Sequence, residues 1–467
     1  GPGFNGDIAF DIDVADDGTP TVTGRSDWHD FPTTPGAFVQ GPPQNQNVFV
    51  TRFDATGCCL VYSCIVGGPK EDRAHAVAVD GAGRATVVGW TGATDFPITP
   101  GAFSKTPAFK EGFVFRLSPE GDALEYSTFL GGAEADEPNT VALAPSGAAI
   151  VGGWTTSADF PVTPGAFQSS PLVPQNGFVT RLDPSGSHIE WSTFLGGKST
   201  DIVRDLCLDE AEHVTITGET ASNDFPTTPG AVQPVWFGSI AHLKAFVTRL
   251  SADGRTLIWS TYLGGIATVG HDLGLAVAVD PYGHVAVAGF TAKGDFPTTP
   301  GAFQTKTGGS PDAFVARIDS TGSALLYSTH FGGVFGDSAV GAEVDASGIV
   351  TFSGFAGLVP TTPGSYNPTE RAPTYVARLD PSGSRLFYST YLGGKQIEAP
   401  TSMAMTPTGR VVVTGYTTGG FPTTPHAFDP YYNGGQTDAF VAALDLVLEG
   451  VRIHGASTPA CHGALLM

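Results

Sequence analysis

Hydrophobic and polar residues alternate along most of the chain in short runs that end at Gly-containing turns. One stretch contains four such runs in succession: AVAVDGAGR with its turn (Ala76–Arg84), ATVVGWT (Ala85–Thr91), FVFRL (Phe113–Leu117) and LEYSTFLGG (Leu124–Gly132). A period of two indicates β-strands, and Asp/Gly turns between the runs indicate antiparallel hairpins. No segment has an apolar period of 3.6 long enough to predict a helix.

A proline-rich octapeptide divides the chain into repeats of about 65 residues. Its seven copies are Phe31–Phe38, Phe96–Phe103, Phe160–Phe167, Phe225–Val232, Phe296–Phe303, Val359–Tyr366 and Phe421–Phe428. Proline fixes φ and lacks an N–H donor, so each copy is expected to be a rigid, extended excursion from its sheet. We expect these excursions to form a crown around a channel mouth.

The repeats predict an all-β fold, a seven-bladed β-propeller with four antiparallel strands per blade. One four-stranded sheet cannot bury both of its faces, but seven can pack face to face around an axis. An open solenoid is the alternative, but it requires polar capping repeats, and the first and last units are ordinary. The predicted blades are 3–67, 68–132, 133–197, 198–265, 266–333, 334–394 and 395–454, followed by a tail at 455–467.

Closure of the last blade is less regular in the sequence. The run Leu448–His454 is the expected fourth strand, and a strand supplied from upstream of Gly1 is the alternative. Five cysteines are too few for a disulfide scaffold, and a bridge from Cys461 to Cys58 or Cys59 is a hypothesis.

Composition excludes several classes of protein. The 467 residues are 41% hydrophobic, which is too apolar for a disordered chain. A formal net charge of −22 argues against nucleic acid and anionic membranes as partners. No apolar run approaches the length of a transmembrane helix, so membrane insertion is not expected.

The best-preserved motifs are YSTYLGG (Tyr388–Gly394), AVAVD (Ala276–Asp280) and DFPTTPGAF (Asp295–Phe303). Together with the recurring A-F-V-x-R-L-D, they resemble the bacterial seven-bladed β-propeller repeat family (SBBP repeat). The resemblance covers about residues 3–445. It implies a secreted or cell-surface bacterial protein and says little about activity, because the family is defined by its repeats.

Three sets of residues recur at fixed positions and are expected to be mainly architectural. Acids precede the first strand of each unit: Asp7, Asp72, Asp136, Asp201, Asp272, Asp337 and Glu398. We expect them to surround one mouth of the channel, either bonded to backbone N–H groups of a neighbouring loop or forming a cation site. Third-strand arginines (Arg52, Arg116, Arg181, Arg249, Arg317 and Arg378) and fourth-strand aromatics (Tyr62, Tyr126, Trp191, Trp259, Tyr327 and Tyr388) are expected to join blades.

Departures from the repeat indicate where a ligand would bind. Two extended loops, in units four and five, supply the candidate ligand-binding residues Trp236, Phe237, His242, Lys244, His271 and Asp272. Aromatic rings beside polar groups are typical of sugar or peptide sites. Drift in surface loops is the alternative. Unit one departs at Arg25, Trp28, His29 and Asp30.

Motifs of familiar catalytic sites are absent, so no catalytic residue is assigned and an enzyme is the less favoured interpretation. No cofactor or metal ligand is predicted; Ca²⁺ at Asp11, Asp13, Asp16 and Asp17 is an alternative to tight turns. The favoured function is an extracellular or cell-surface binding or scaffold module for a glycan or a surface protein. An extracellular polysaccharide lyase or hydrolase at the channel mouth, and a self-associating subunit of a surface layer or filament, are the alternatives.

Overall fold

The computed structural model describes residues 6–27, 31–40, 46–237, 242–266, 270–292 and 294–446, and the backbone of 463–466. Its strands are β1 (Ile8–Val14), β2 (Pro20–Ser26), β3 (Val39–Gln40), β4 (Asn47–Phe53), β5 (Leu60–Val66), β6 (Asp72–Val79), β7 (Ala85–Thr91), β8 (Glu111–Leu117), β9 (Leu124–Phe129), β10 (Asp136–Leu143), β11 (Ala149–Thr155), β12 (Asn176–Leu182), β13 (Ile189–Leu195), β14 (Asp201–Leu208), β15 (Val214–Thr220), β16 (Lys244–Leu250), β17 (Leu257–Leu263), β18 (Asp272–Val279), β19 (Val285–Thr291), β20 (Asp312–Ile318), β21 (Leu325–Phe331), β22 (Ser338–Val344), β23 (Val350–Phe355), β24 (Thr374–Leu379), β25 (Leu386–Leu392), β26 (Glu398–Met405), β27 (Val411–Thr417), β28 (Asp438–Leu444) and β29 (Gly463–Leu466).

These strands form seven antiparallel sheets, which confirms the predicted seven-bladed β-propeller. Each sheet has four strands in chain order, and the first blade has β3 as an additional, parallel edge strand. The first strand of each blade contacts the first strand of the next, and β1 contacts β26, so the ring is closed. At this junction the Ser402 hydroxyl donates a hydrogen bond to Asp11 (2.6 Å).

The fourth strand of the last blade comes from the end of the chain. Gly463–Leu466 pairs antiparallel with β28, from Ala443 to Phe440. The sequence predicts Leu448–His454 for this place, and that run lies outside the described residues. Part of the segment expected to be a tail (455–467) therefore belongs to the seventh sheet. Its residues, GALL, lack the YST pattern that marks the other fourth strands in the sequence.

The hydrophobic core lies between adjacent blades. One buried cluster combines Tyr62 and Cys64 of the first blade with Val87, Phe113 and Phe129 of the second. Each sheet packs one face against the preceding blade and the other against the following blade. Closure of the ring therefore buries both faces of all seven sheets. Cys64 is fully buried in this cluster.

Arginines of the third strands connect blades through hydrogen bonds to carbonyl groups. Arg52 donates to Gly83 (3.0 Å) in the first hairpin of the following blade, and Arg116 donates to Gly147 (2.7 Å) in the same way. Arg249 and Arg317 repeat the contact. Arg378 makes the own-blade ion pair that Arg249 and Arg317 also make, with Asp345 (3.4 Å), but among the described residues no bond joins it to a carbonyl group of the next blade.

Fourth-strand aromatics also pack between blades, as predicted. The indole N–H of Trp191 donates to the Ala252 carbonyl (2.9 Å) in the second hairpin of the next blade, and Trp259 donates to Ser320 (3.2 Å). At Gly186, a Cβ atom would overlap the Tyr126 ring of the preceding blade.

In blades one to six the octapeptides bond to the fourth strand at the outer edge of the sheet, so the expected crown around the channel mouth is wrong. In the second blade, Thr99 donates its N–H to Ser127 in the fourth strand (3.1 Å). Phe103 then donates to Gly186 of the next blade (3.0 Å). Because an uncovered outer strand leaves N–H and C=O groups unpaired, the proline-rich segment protects the edge.

Candidate functional site

The disc has two faces with different loops. We define the upper face as the one at which the first and third strands of each blade begin and the second and fourth strands end. The lower face carries the hairpins within each blade, such as that of Asp80 and Gly83.

The loops of blades four and five meet on the upper face, as the sequence predicts. The rings of His242 and His271 are 5.6 Å apart, and the Leu243 N–H donates to Nδ1 of His271 (3.0 Å). The Lys244 ammonium lies 5.4 Å from the Trp236 ring centre. Residues 238–241 and 267–269 of these loops lie outside the described residues.

Most of the polar and aromatic groups of this candidate site make internal contacts. Lys244 is buried and donates to the Gly265 carbonyl, and burial lowers the pKa of its ammonium group. Trp236 packs edge-on against Tyr262, with 5.4 Å between ring centres. Phe237 is about half exposed. These contacts stabilise the loop, and they leave Phe237 as its accessible aromatic side chain among the residues described.

The carboxylate ring lies under the loops that enter each blade, and its members do not line the central cavity. Asp72 accepts the Gly68 N–H (2.6 Å), and Asp201 accepts the Gly197 N–H (2.7 Å). Asp136, Asp272, Asp337 and Glu398 accept the equivalent glycine N–H. The expected position around the channel mouth is therefore wrong for these buried side chains, and their role is to hold the connecting loops.

The first strand of every blade contains a β-bulge at the residue three positions after the ring acid. The bulged residues are Phe10, His75, Asn139, Arg204, Leu275, Val340 and Thr401. A bulge re-aims the side chains that follow it. Here the bulged residues and those after them line an axial cavity of about 570 Å³.

Four acids face this cavity, and they occupy two positions of the repeat: Asp11 and Asp205 lie four residues after the ring acid, and Asp13 and Glu343 lie six residues after it. Burial raises the pKa of Asp11 to about 7 and that of Asp205 to about 6. Burial, followed by the charges of Asp13 and Asp205, raises the pKa of Glu343 to about 7. Asp11 and Asp13 accept N–H bonds from the next blade at Val77 (2.8 Å) and Val79 (2.7 Å). These two acids therefore join first strands.

Metal ligands do not converge in the part of the chain that the structure describes. No three His, Cys, Asp or Glu side chains are placed there as metal ligands would be. In the segment considered for Ca²⁺, Asp11 and Asp13 bond to backbone amides and Asp17 pairs with Arg52 (3.3 Å). In the same described ranges no helix is long and apolar enough to span a membrane.

Five side chains of blades one to three form a continuous strip on the upper face, beside the cavity mouth. The Arg73 guanidinium lies 5.5 Å from the Phe10 ring centre and 5.7 Å from that of Trp90. The Lys110 ammonium lies 4.5 Å from Trp90 and 5.4 Å from Trp154. We call Phe10, Arg73, Trp90, Lys110 and Trp154 the cation–aromatic ladder.

The ladder is positioned by regular pairing and by two acids. Trp90 lies opposite Arg73, and Trp154 opposite Glu137, in their antiparallel sheets. Glu137 pairs with Lys110, and Glu71 pairs with Arg73 (3.0 Å). Arg73 and Lys110 remain about 30% exposed. The ladder is thus ordered by its own contacts and remains accessible to a partner.

The sequence contains a signal for this strip that a search for extended loops misses. The residues at the position of Trp90, near the end of the second strand, are Arg25, Trp90, Trp154, Glu219, Phe290, Phe355 and Tyr416 in the successive blades. Five of the seven are aromatic. Of the unit-one departures, Arg25 lies beside the ladder, 3.8 Å from Glu71, whereas Trp28, His29 and Asp30 lie outside the described residues.

No protein-family model and no curated protein matches this chain. Solved structures match most of its length at low identity. They include U3-55K (8% identity, 87% of this chain and 90% of that chain, TM-score 0.49) and the Dos1 propeller (11%, 94% and 82%, 0.42). The quinohemoprotein alcohol dehydrogenase from Comamonas testosteroni also matches (11%, 96% and 77%, 0.39). With TM-scores below 0.5, these likenesses carry no argument about function. The chain is a seven-bladed β-propeller, and its resemblance to the SBBP repeat family stays a prediction from sequence.

Proposed function

We propose that this propeller is an extracellular, non-catalytic binding module, and that the cation–aromatic ladder is its contact with another protein. The observation that carries the proposal is the alternation of three rings and two cations, with each cation within 5.7 Å of two ring centres. Tryptophan and arginine are enriched in the energetic centres of protein interfaces. Groups already held in place lose little entropy when they bind.

Carboxylate side chains are the partner groups that fit the ladder. Arg25, Arg73 and Lys110 bring three positive charges together beside Asp27, Glu71 and Glu137, in a chain whose overall charge is −22. A partner carboxylate can share Arg73 with Glu71, whose side chain is 44% exposed. Charge complementarity of this kind supports specificity and fast association.

A glycan is the less favoured ligand for the same strip. Sugar binding by stacking needs an uncovered aromatic face, and both Arg73 and Lys110 lie close to the Trp90 ring. The ladder therefore presents positive charges and ring edges to a ligand, more than a flat aromatic surface on which a sugar could stack. These contacts favour a protein over a glycan as the ligand.

Binding of an acidic peptide tests the proposal. We expect a fluorescein-labelled peptide of alternating Glu and Gly to bind, with about tenfold weaker binding by Lys110→Gln and by Arg73→Gln. Lys198→Gln is the matched control, because Lys198 is an exposed upper-face lysine in the loop entering blade four. Failure to bind the peptide, or equal losses in the control, would contradict the proposal. Binding of an oligogalacturonate instead of the peptide would indicate a glycan module.

A hydrolase with its site in the cavity is the second candidate. It is supported by the raised pKa of Glu343, which lines the axial cavity together with Asp205. A general acid needs such a raised pKa. Glycoside hydrolysis that is lost in Glu343→Gln and kept in Lys110→Gln would support this function over the binding module.

A further inference from the structure

The upper face has two chemically different halves around one cavity mouth. Loops entering blades two to four carry Lys70, Glu71, Glu134 and Lys198. Loops entering blades five to seven carry exposed apolar residues beside polar ones such as Lys395: Ile266, Val334, Phe335 and Ile397 are each more than half exposed. The ladder lies on the first half, so the face as a whole is amphipathic.

The apolar half extends inward to the cavity mouth. Phe355, at the end of β23, is 42% exposed on the same face as Val334 and Phe335. The bulged residues that line the cavity there are Leu275, Val340 and, in blade seven, the polar Thr401, whereas His75, Asn139 and Arg204 occupy the equivalent positions in blades two to four. We call Ile266, Val334, Phe335, Phe355 and Ile397 the apolar arc. Clustered exposed apolar side chains mark interaction surfaces in soluble proteins.

We propose that one partner segment crosses the cavity mouth, with acidic side chains on the cation–aromatic ladder and apolar side chains on the apolar arc. This inference rests on the proposed function and specifies its partner: a protein segment that is acidic in one part and hydrophobic in the next. Charge complementarity fixes which end lies on the ladder. Because the ladder and the apolar arc border the same cavity mouth, they can act as one site. Binding of the acidic part to the ladder then raises the effective concentration of the apolar part at the apolar arc.

Peptides that separate the two contacts test this inference. The acidic peptide of alternating Glu and Gly is compared with the same peptide extended by a Gly-Ser linker and a Leu/Phe-containing segment. We expect the bipartite peptide to bind about 100-fold more tightly than the acidic one. The double variant Val334→Ser/Phe335→Ser should abolish that gain and leave binding of the acidic peptide unchanged.

Two further variants distinguish the possible failures. Lys110→Gln should weaken both peptides, and Tyr282→Ser, an exposed aromatic on the lower-face hairpin of blade five, should affect neither. Equal binding of both peptides by the wild type, or a full gain retained in the double variant, would overturn the bipartite partner while leaving the ladder proposal standing. Absence of acidic-peptide binding would overturn both. Linkers of several lengths ensure that a short span does not prevent simultaneous contact.

Discussion

The Nη2 group of Arg116 lies 2.7 Å from the carbonyl oxygen of Gly147, in the first hairpin of the next blade. The same guanidinium donates to Pro184 (3.1 Å) and Thr86 (2.8 Å), and the side chain is 1% exposed. We predict that Arg116→Ala lowers the free energy of unfolding by about 3 kcal/mol, because buried acceptors lose a charged donor. Urea unfolding followed by tryptophan fluorescence measures this change.

Arg378 provides the matched control for that prediction. It is more exposed and pairs with Asp345 at 3.4 Å within its own blade. Arg378→Ala should cost less than about 1 kcal/mol, as expected of a partly exposed ion pair. Equal losses in the two variants would show that the inter-blade bonds do not stabilise the ring.

Gly186 faces the Tyr126 ring of the preceding blade and has φ 65°. We predict that Gly186→Ala lowers the free energy of unfolding by about 3 kcal/mol, from strain in the left-handed region together with overlap with the ring. Gly36 has φ 87°, and no atom lies within 4 Å of the place that a Cβ would occupy there. Gly36→Ala should therefore cost only about 1 kcal/mol. A smaller loss at Gly186 than at Gly36 would disprove the packing contribution.

Glu343 should make stability depend on pH. Its folded pKa, about 7, is raised above the ordinary 4.5, mainly by burial. A raised carboxyl pKa gives stability that is fully present below pH 4.5 and is lost as the pH rises through 7. We predict that Glu343→Gln raises Tm at pH 8, by the equivalent of about 2 kcal/mol, and changes it little at about pH 5.

The partly exposed Glu125 is the control for the pH experiment. Thermal unfolding of Glu125→Gln at the same two pH values measures the effect of replacing a carboxyl with an amide at a partly exposed position. A Glu343→Gln variant whose Tm shift is the same at both values would show that this carboxyl is not penalised by burial in the folded protein.

Trp236 distinguishes the two surfaces considered for ligand binding. Its ring packs on Tyr262 and under Lys244, so we predict that Trp236→Ala lowers the free energy of unfolding by about 3 kcal/mol. The folded variant should bind the acidic peptide with unchanged affinity. Fluorescence anisotropy of the labelled peptide, at a temperature well below the Tm of the variant, tests this. A large loss of affinity would indicate that the ligand binds at blades four and five.

Removing the negative charge of Glu71 should strengthen peptide binding, whereas removing a cation of the ladder should weaken it. The Glu71 carboxylate lies 3.0 Å from Arg73 and 3.8 Å from Arg25. We predict that Glu71→Gln tightens binding of the acidic peptide about threefold at low salt, because one repulsive charge is removed. The gain should disappear at high ionic strength. Weaker binding would indicate that Glu71 is needed to hold Arg73 in position.

Local repetition is sufficient to predict the blades. The octapeptide, the Asp-x-x-Gly turns and the alternation of residues such as Ala76–Arg84 specify short antiparallel strands in every unit, and sheets that cannot bury both faces alone close into a ring. The prediction that the loops of His242 and His271 lie side by side is also confirmed, because one loop precedes the third strand of blade four and the other precedes the first strand of blade five, and both strands begin on the upper face.

The sequence by itself therefore determined the strand order, the blade number and the inter-blade roles of arginines such as Arg116. The tertiary structure alone decided which side chains meet: it buried Asp72 and Asp201 under their loops, placed the octapeptides at the outer edge and brought Phe10, Arg73 and Lys110 into one strip. The physical reason is that strand pairing follows from local pattern, whereas a β-bulge in each first strand changes side-chain direction, and contacts between blades join residues about 65 positions apart.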